Sequence, residues 1–326
     1  MRLAVLSDIH VLGPGETARA REIARQLGTA RSWWGRRWHR ALFRARRRFW
    51  NWHPHARRRC FLRALDDIAR FEPDWVIANG DYGGDALGVG LSDAHTFESV
   101  AGALDLVRAT FPSRARFVFG DHELGKYSTE LRRGGIRLAS LTRGEEQLGI
   151  RSFWHEVDGR FHLMGVNSTL FTLALFLPEA LPAEVPAWQT FRERHLADVD
   201  AAFRALPADA RVLLFCHDPG ALSALYRIDA VRARLAQVEG TILGHLHAPR
   251  LLRLTRLLGR LPHVRARYPV ARIISAGARD AHTWARFRPL VCPSTFGAGH
   301  HVGGGVLLLS AEDDDPLVVR RHRIVC

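Results

Sequence analysis

Five short blocks hold the side chains best suited to chemistry, and they follow one another along a chain of 326 residues. Ser-Asp-Ile-His carries Asp8 and His10, and Asn-Gly-Asp ends at Asp81. Gly-Asp-His-Glu carries Asp121, His122 and Glu123, Cys-His-Asp carries His217, and Gly-His-Leu-His carries His245 and His247. Carboxylate mixed with imidazole suits Mn, Fe, Zn or Ni better than Mg or Ca, which prefer oxygen alone. Cysteine is not part of the set, which argues against a closed structural zinc site. One carboxylate, Asp81, could bridge two ions about 3.5–4 Å apart. Such a pair generates hydroxide at neutral pH and clamps the phosphoryl oxygens of an in-line displacement. Singly, each residue has a plainer reading. Asp8 and Asp81 could be helix caps, His10 a capping or surface residue, and His217 a turn residue before Asp-Pro-Gly. His300 and His301, in a Gly-rich stretch, are read as loop because nothing ties them to the five blocks.

Each block closes a short apolar run. LAVLSD, WVIANGD, RFVFGD, VLLFCHD and GTILGHLH read as buried strands, as do FHLMGVNS, RIISAGA and GVLLLS. Helical spacing of apolar residues marks Cys60 to Phe71, a segment capped by Ser92 and running to Phe111, and Trp188 to Leu206. Strands alternating with helices predict an α/β layered domain, and the close succession of the later strands predicts an antiparallel part. One domain over 1–326 is expected, with an insertion at about 12–59. Open α/β sheets place ligands at the carboxyl ends of their strands, where all five blocks fall. Alternate residues of an extended chain point the same way, so Asp8 and His10 can face one ion, and His245 and His247 can reach one site.

The ordered set resembles the calcineurin-like metallophosphoesterase superfamily, whose pattern is DxH, GD, GNH(E/D), a lone His and GHxH. The resemblance runs from residue 8 to residue 247. It implies a four-layer α/β/β/α sandwich with mixed sheets and two divalent metal ions, Mn first, with Fe or Zn as alternatives. One ion would be held by Asp8, His10, Asp81 and His247, the other by Asp81, Asp121, His217 and His245. His122 would be catalytic, beside the scissile phosphate, stabilising the transition state or protonating the leaving group. The family usually has Asn where this chain has Asp121. The extra negative charge should tighten cation binding.

Charge is unevenly placed. The net charge is +14, and residues 31–59 hold eleven Arg and no acid, while 250–272 hold seven Arg and no acid. The remainder is mildly acidic, a pattern that suits a polyanionic partner. Trp33, Trp34, Trp38, Trp50 and Trp52, with Phe43 and Phe49, interleave with the first Arg group. Trp and Arg together favour a water–lipid interface. Arg250, Arg253, Arg256 and Arg260 alternate with Leu251, Leu254, Leu258 and Leu261 at helical spacing, as in an interfacial amphipathic helix. Within the superfamily these features resemble the UDP-2,3-diacylglucosamine pyrophosphatases of lipid A synthesis, peripheral membrane enzymes that release UMP and a monophosphorylated lipid. The expected partners are therefore a phosphorylated lipid-like substrate and an anionic membrane surface, with nucleic acid in second place. A nucleotide or nucleic-acid phosphodiesterase is the alternative enzyme, and a non-catalytic membrane scaffold the alternative of another class. The four cysteines, irregularly spaced, read as reduced thiols. The first strand is expected to start near residue 2 and no apolar run reaches about eighteen residues, so neither a signal peptide nor a transmembrane helix is expected. The expected location is cytoplasmic, on the inner face of the membrane.

Overall fold

The computed structural model describes residues 1–28, 54–127, 133–246, 249–258, 281–295, 304–312 and 315–325. Among the described residues, ten strands fall into two five-stranded sheets. The first contains β1 (Arg2–Leu6), β2 (Trp75–Ala78), β3 (Ala115–Phe117), β9 (Gly305–Ser310) and β10 (Val318–Arg323), in the order β10-β9-β1-β2-β3. The second contains β4 (Phe153–Asp158), β5 (Phe161–Val166), β6 (Arg211–Cys216), β7 (Val238–Leu243) and β8 (Pro289–Val291), in chain order across the sheet. β1, β2 and β3 run parallel, as do β5 to β8. β9 is antiparallel to both β1 and β10, and β4 is antiparallel to β5. Both sheets are mixed, and the late strands are antiparallel only in part, because β8 joins β7 in parallel.

Three apolar layers hold these sheets. Leu3, Val5 and Ile77 of the first sheet meet Leu163, Leu213, Phe215 and Ile242 of the second, forming the core between the sheets. Alternate residues turn outward: Ala4, Leu6, Val76 and Ala78 pack under helices α2 (Pro54–Phe71) and α3 (Ala94–Thr110). On the far side, Val212 and Leu214 of β6 pack with Val199 and Phe203 of helix α6 (Val185–Arg204). The order is therefore helix, sheet, sheet, helix. Burial on both sheet faces explains why these strands read as nearly continuous apolar runs.

Shorter helices complete the frame: α1 (Pro14–Gly28), α4 (Asp121–Leu124) and α5 (Leu138–Glu146) lie before α6, and α7 (Pro249–Leu258) follows the second sheet's β7. The cap of α3 is Asp93, whose side chain accepts from Thr96 N, and not Ser92 as expected. Ser92 instead ends a 3-10 turn and donates its N–H to Ser140 Oγ at 2.9 Å. The strands β4, β8 and β10 have no counterpart among the expected runs. β10 reads Val-Val-Arg-Arg-His-Arg and lies at a sheet edge, where charge is tolerated and discourages further pairing.

Cys60 is disulfide-bonded, which corrects the expectation that all four cysteines are thiols; Cys216 and Cys292 are free and buried. No helix among the described residues is long and apolar enough to cross a membrane. RIISAGA, the Trp/Arg-rich residues 29–53, His300, His301 and His247 lie outside the described residues.

Candidate metal centre

The parallel strands β1, β2 and β3 deliver their carboxyl ends to one edge of the first sheet, and β6 and β7 deliver theirs to the matching edge of the second. Asp8 and His10 follow β1, Asp81 follows β2, Asp121 and His122 follow β3, His217 follows β6 and His245 follows β7. Asp8, His10, Asp81 and His245 all adopt left-handed backbone, with φ of 52°, 48°, 58° and 55°. That conformation costs a non-glycine residue about 1–2 kcal/mol, so the surrounding structure must impose it.

Asp81 stands at the centre. Its Oδ1 accepts the backbone N–H of His122 at 3.1 Å. Its Oδ2 lies 3.2 Å from His217 Nε2, 3.7 Å from His10 Nε2 and 3.8 Å from His122 Nε2. Around it, Asp81, Asp121, His217 and His245 form one group whose donor atoms could hold a cation, and His10, Asp81 and His122 form a second. Asp8 Oδ1 is 3.9 Å from His10 Nε2, on the side of the second group. The structure thus brings together all four residues expected for one ion, and three of the four expected for the other. His122, expected beside the phosphate, shares the second group.

The histidines are oriented before any cation arrives. His217 Nδ1 donates to Asn79 O at 2.7 Å, His10 Nδ1 to Gly83 O at 3.1 Å and His122 Nδ1 to Gly84 O at 3.1 Å. A carbonyl only accepts, so each ring carries its proton on Nδ1 and turns Nε2 towards Asp81. His217 Nε2 and Asp121 Oδ1, both buried, have no hydrogen-bond partner among the described residues. Buried polar atoms left in this state are costly unless something fills the space between them. A cation fits that need, and the mixture of nitrogen and carboxylate donors fits a transition-type divalent ion.

Electrostatics agree. Burial alone would lower the pKa of His217, but the Asp81 and Asp121 carboxylates outweigh it and hold the imidazole well above its ordinary value. The same contest, burial against Asp121 and Asp218, raises His245. His10, by contrast, is pushed down to about 3 by burial and by its neighbour His122, so it is a neutral ligand-ready imidazole.

Several residues that position the site carried no separate expectation. Glu123, fully buried, accepts from Asp81 N at 2.9 Å, Tyr82 N at 2.8 Å and Gly120 N at 2.9 Å, tying the loop after β2 to the loop after β3. Asn79 reaches across the sandwich: Nδ2 donates to Cys216 O at 3.5 Å and Ile242 O at 3.3 Å, while its carbonyl holds His217. Gly80 must be glycine, with φ of 89° and a Cβ that would lie 2.6 Å from His217 Nδ1. Lys126 Nζ meets Asp121 Oδ2 at 2.6 Å. The signals for the first two were the flanking letters of the blocks, the Glu of GDHE and the Asn of NGD.

With this geometry in place, comparison with known proteins is informative. The family profile described as "Calcineurin-like phosphoesterase" matches residues 1–249. No curated protein matches. Among solved structures, the chain is similar to a dimetal phosphatase from Danio rerio, at 14% identity, over 100% of this chain and 96% of that chain, with a TM-score of 0.46.

Proposed function

This chain belongs to the calcineurin-like phosphoesterase family and is a metal-dependent phosphohydrolase, and from that premise we propose that it hydrolyses a phosphoester or pyrophosphate of an amphiphilic substrate at a dinuclear centre bridged by Asp81. The observation that carries the dinuclear reading is the membership of Asp81 in both donor groups, with its Oδ2 facing His10, His122 and His217. We assign Asp81, Asp121, His217 and His245 to one ion, and Asp8, His10, Asp81 and His247 to the other. Two divalent ions bound there would supply Lewis acidity to the phosphoryl oxygens and lower the pKa of a water for attack.

The protein's own groups do the rest. His10 and His217, anchored through Nδ1, keep Nε2 on the site without reorganisation. His122 is the most exposed of the three anchored rings, at 13%. Its Nδ1–H is committed to Gly84 O, so Nε2 is the atom that faces a substrate. A proton gained at Nε2 makes it a donor to a phosphoryl or leaving-group oxygen, and the Gly84 carbonyl stabilises the cation so formed.

An amphiphilic substrate is favoured by α7, which starts four residues after His245. Leu252 is buried against the second sheet's outer core, whereas Arg250, Arg253, Leu254 and Leu257, at i, i+3, i+4 and i+7, are exposed. Leu254 and Leu257 are 49% and 60% exposed. A face of two leucines beside two arginines suits the headgroup region of an anionic membrane. UDP-2,3-diacylglucosamine is the named candidate within that class. The test is Mn-dependent hydrolysis of that lipid beside bis-p-nitrophenyl phosphate and single-stranded DNA. Release of UMP from the lipid alone is expected. Turnover of DNA but not lipid would replace the lipid reading with a nuclease, and no turnover by a fully metal-loaded protein would overturn both.

A further inference from the structure

The chain has one lysine, and it lies against a proposed metal ligand. Asp121 opens the single turn of α4, and Lys126 stands two residues past its end. The two oxygens of Asp121 have separate surroundings. Oδ2 is 2.6 Å from Lys126 Nζ, while Oδ1 lies 3.5 Å from His245 Nδ1 and 3.7 Å from His217 Nε2. The carboxylate is 7% exposed and the lysine side chain 42%, so the ammonium caps the carboxylate from the solvent side. Among the described residues, Lys126 is the cation paired with Asp121, whereas His10, His122, His217 and His245 face the carboxylates of the cluster and Ser7 Oγ donates to Asp8 Oδ2 at 2.7 Å.

We propose that Asp121 and Lys126 work as one charge-balanced ligand: Lys126 holds Oδ2, turns Oδ1 to the cation position between His217 and His245, and offsets the negative charge that a carboxylate carries there in excess of a neutral amide. This rests on the reading of Asp121 as a metal ligand. Lys126 is then a positioning residue whose charge sets how tightly the centre holds its ion. The two residues are energetically coupled, because a carboxylate and an ammonium at this separation cannot be changed independently. The expectation of tighter cation binding from the extra charge of Asp121 is cancelled by its partner. Neutralising Asp121 alone strands an ammonium beside the metal position, where it repels the ion.

The experiment is a double-mutant cycle read by calorimetric titration of Mn into metal-free protein, for wild type, Asp121→Asn, Lys126→Met and the double variant. Asp121→Asn is expected to weaken Mn binding about tenfold to a hundredfold, the range for groups that tune a metal ligand. Lys126→Met is expected to bind Mn at least as tightly as wild type, and the double variant to recover most of the affinity lost by Asp121→Asn. An additive cycle, or a double variant no better than Asp121→Asn, overturns the proposal. Should Asp121→Asn fail to fold, Lys126→Met against Lys126→Arg carries the test: the uncharged variant binds Mn more tightly, and equal or reversed affinities overturn the proposal. Wild type that takes up no Mn would overturn the metal-centre reading itself, whereas Mn uptake with an additive cycle overturns only the pairing.

Discussion

An imidazole becomes a metal ligand or a proton carrier according to what holds its other nitrogen. His10, His122 and His217 each spend Nδ1–H on a backbone carbonyl and present Nε2 to the Asp81 carboxylate. They differ in depth, with side-chain exposures of 6%, 13% and 0%. The most exposed ring is the one proposed to meet substrate. His122→Ala is expected to lower kcat by about 10²–10⁴-fold with metal content unchanged, read by steady-state kinetics beside elemental analysis. Loss of an ion from that variant would make His122 a ligand. His195, far from the blocks in sequence, behaves differently. It is 2% exposed between the rings of Phe153 and Phe171, and burial lowers its pKa from 6.5 to about 3. The unfolded chain therefore binds a proton below about pH 6.5 that the folded chain refuses, so stability is full above that pH and declines as pH falls towards about 3. Between about pH 7 and pH 5 this one group should cost about 2 kcal/mol. His195→Phe should remove that part of the slope when denaturant midpoints are compared at the two pH values.

Elements convert five separated blocks into one site through links between loops. Asn79 is the link between sheets, donating to the last residue of β6 and to β7 while its carbonyl orients His217. Asn79→Ala removes two long hydrogen bonds from a fully buried position. It is expected to destabilise the fold by about 1–3 kcal/mol and to weaken metal binding, measured by urea unfolding and Mn titration. A second link starts in α1. Glu16, 1% exposed, accepts from Ala86 N at 3.2 Å and so braces the Gly83–Gly84 turn whose carbonyls hold His10 and His122. A Cβ on Gly84 would drive into Leu12 and lie 3.1 Å from Glu16 Oε1. Gly84→Ala should therefore lower kcat or metal affinity about tenfold to a hundredfold, because the two imidazoles lose their common support. Wild-type kinetics in that variant would show that the turn adapts and that the bracing is incidental.

At the scale of the whole molecule, the basic charge of the sequence falls in segments apart from the acidic ligand blocks. The Trp/Arg-rich stretch of the insertion, residues 31–59, follows α1 and runs into α2, where Arg57 is buried and donates from Nη1 to His10 O at 3.3 Å. An excision that spares this contact stops before α2 begins at Pro54. Replacing residues 31–52 by a short Gly-Ser linker should leave hydrolysis of a small diester within about threefold of wild type, while weakening sedimentation with anionic vesicles by about an order of magnitude or more. Unchanged vesicle binding would remove the insertion from the membrane reading and leave the exposed face of α7 to carry it.

Residue types and order were enough to expect the chemistry. Carboxylates and imidazoles after apolar runs name a class of ion and a sheet edge, because strand periodicity and ligand preference are local properties of the chain. The apolar runs of β1, β2, β3, β5, β6, β7 and β9 were legible for the same reason, since strands buried on both faces have little polar alternation. β10 was not legible, because an edge strand tolerates the arginines that a central strand excludes. The Asp93 cap was hidden by an equally competent neighbour, Ser92, and the choice between them was made by the turn that precedes the helix. Lys126 on Asp121, Glu16 behind the glycine turn and Arg57 on His10 O join residues whose separation in sequence says nothing of their contact. Those pairings were decided only in three dimensions, where packing the two sheets face to face brings the ends of five strands together and leaves their buried polar groups to find one another.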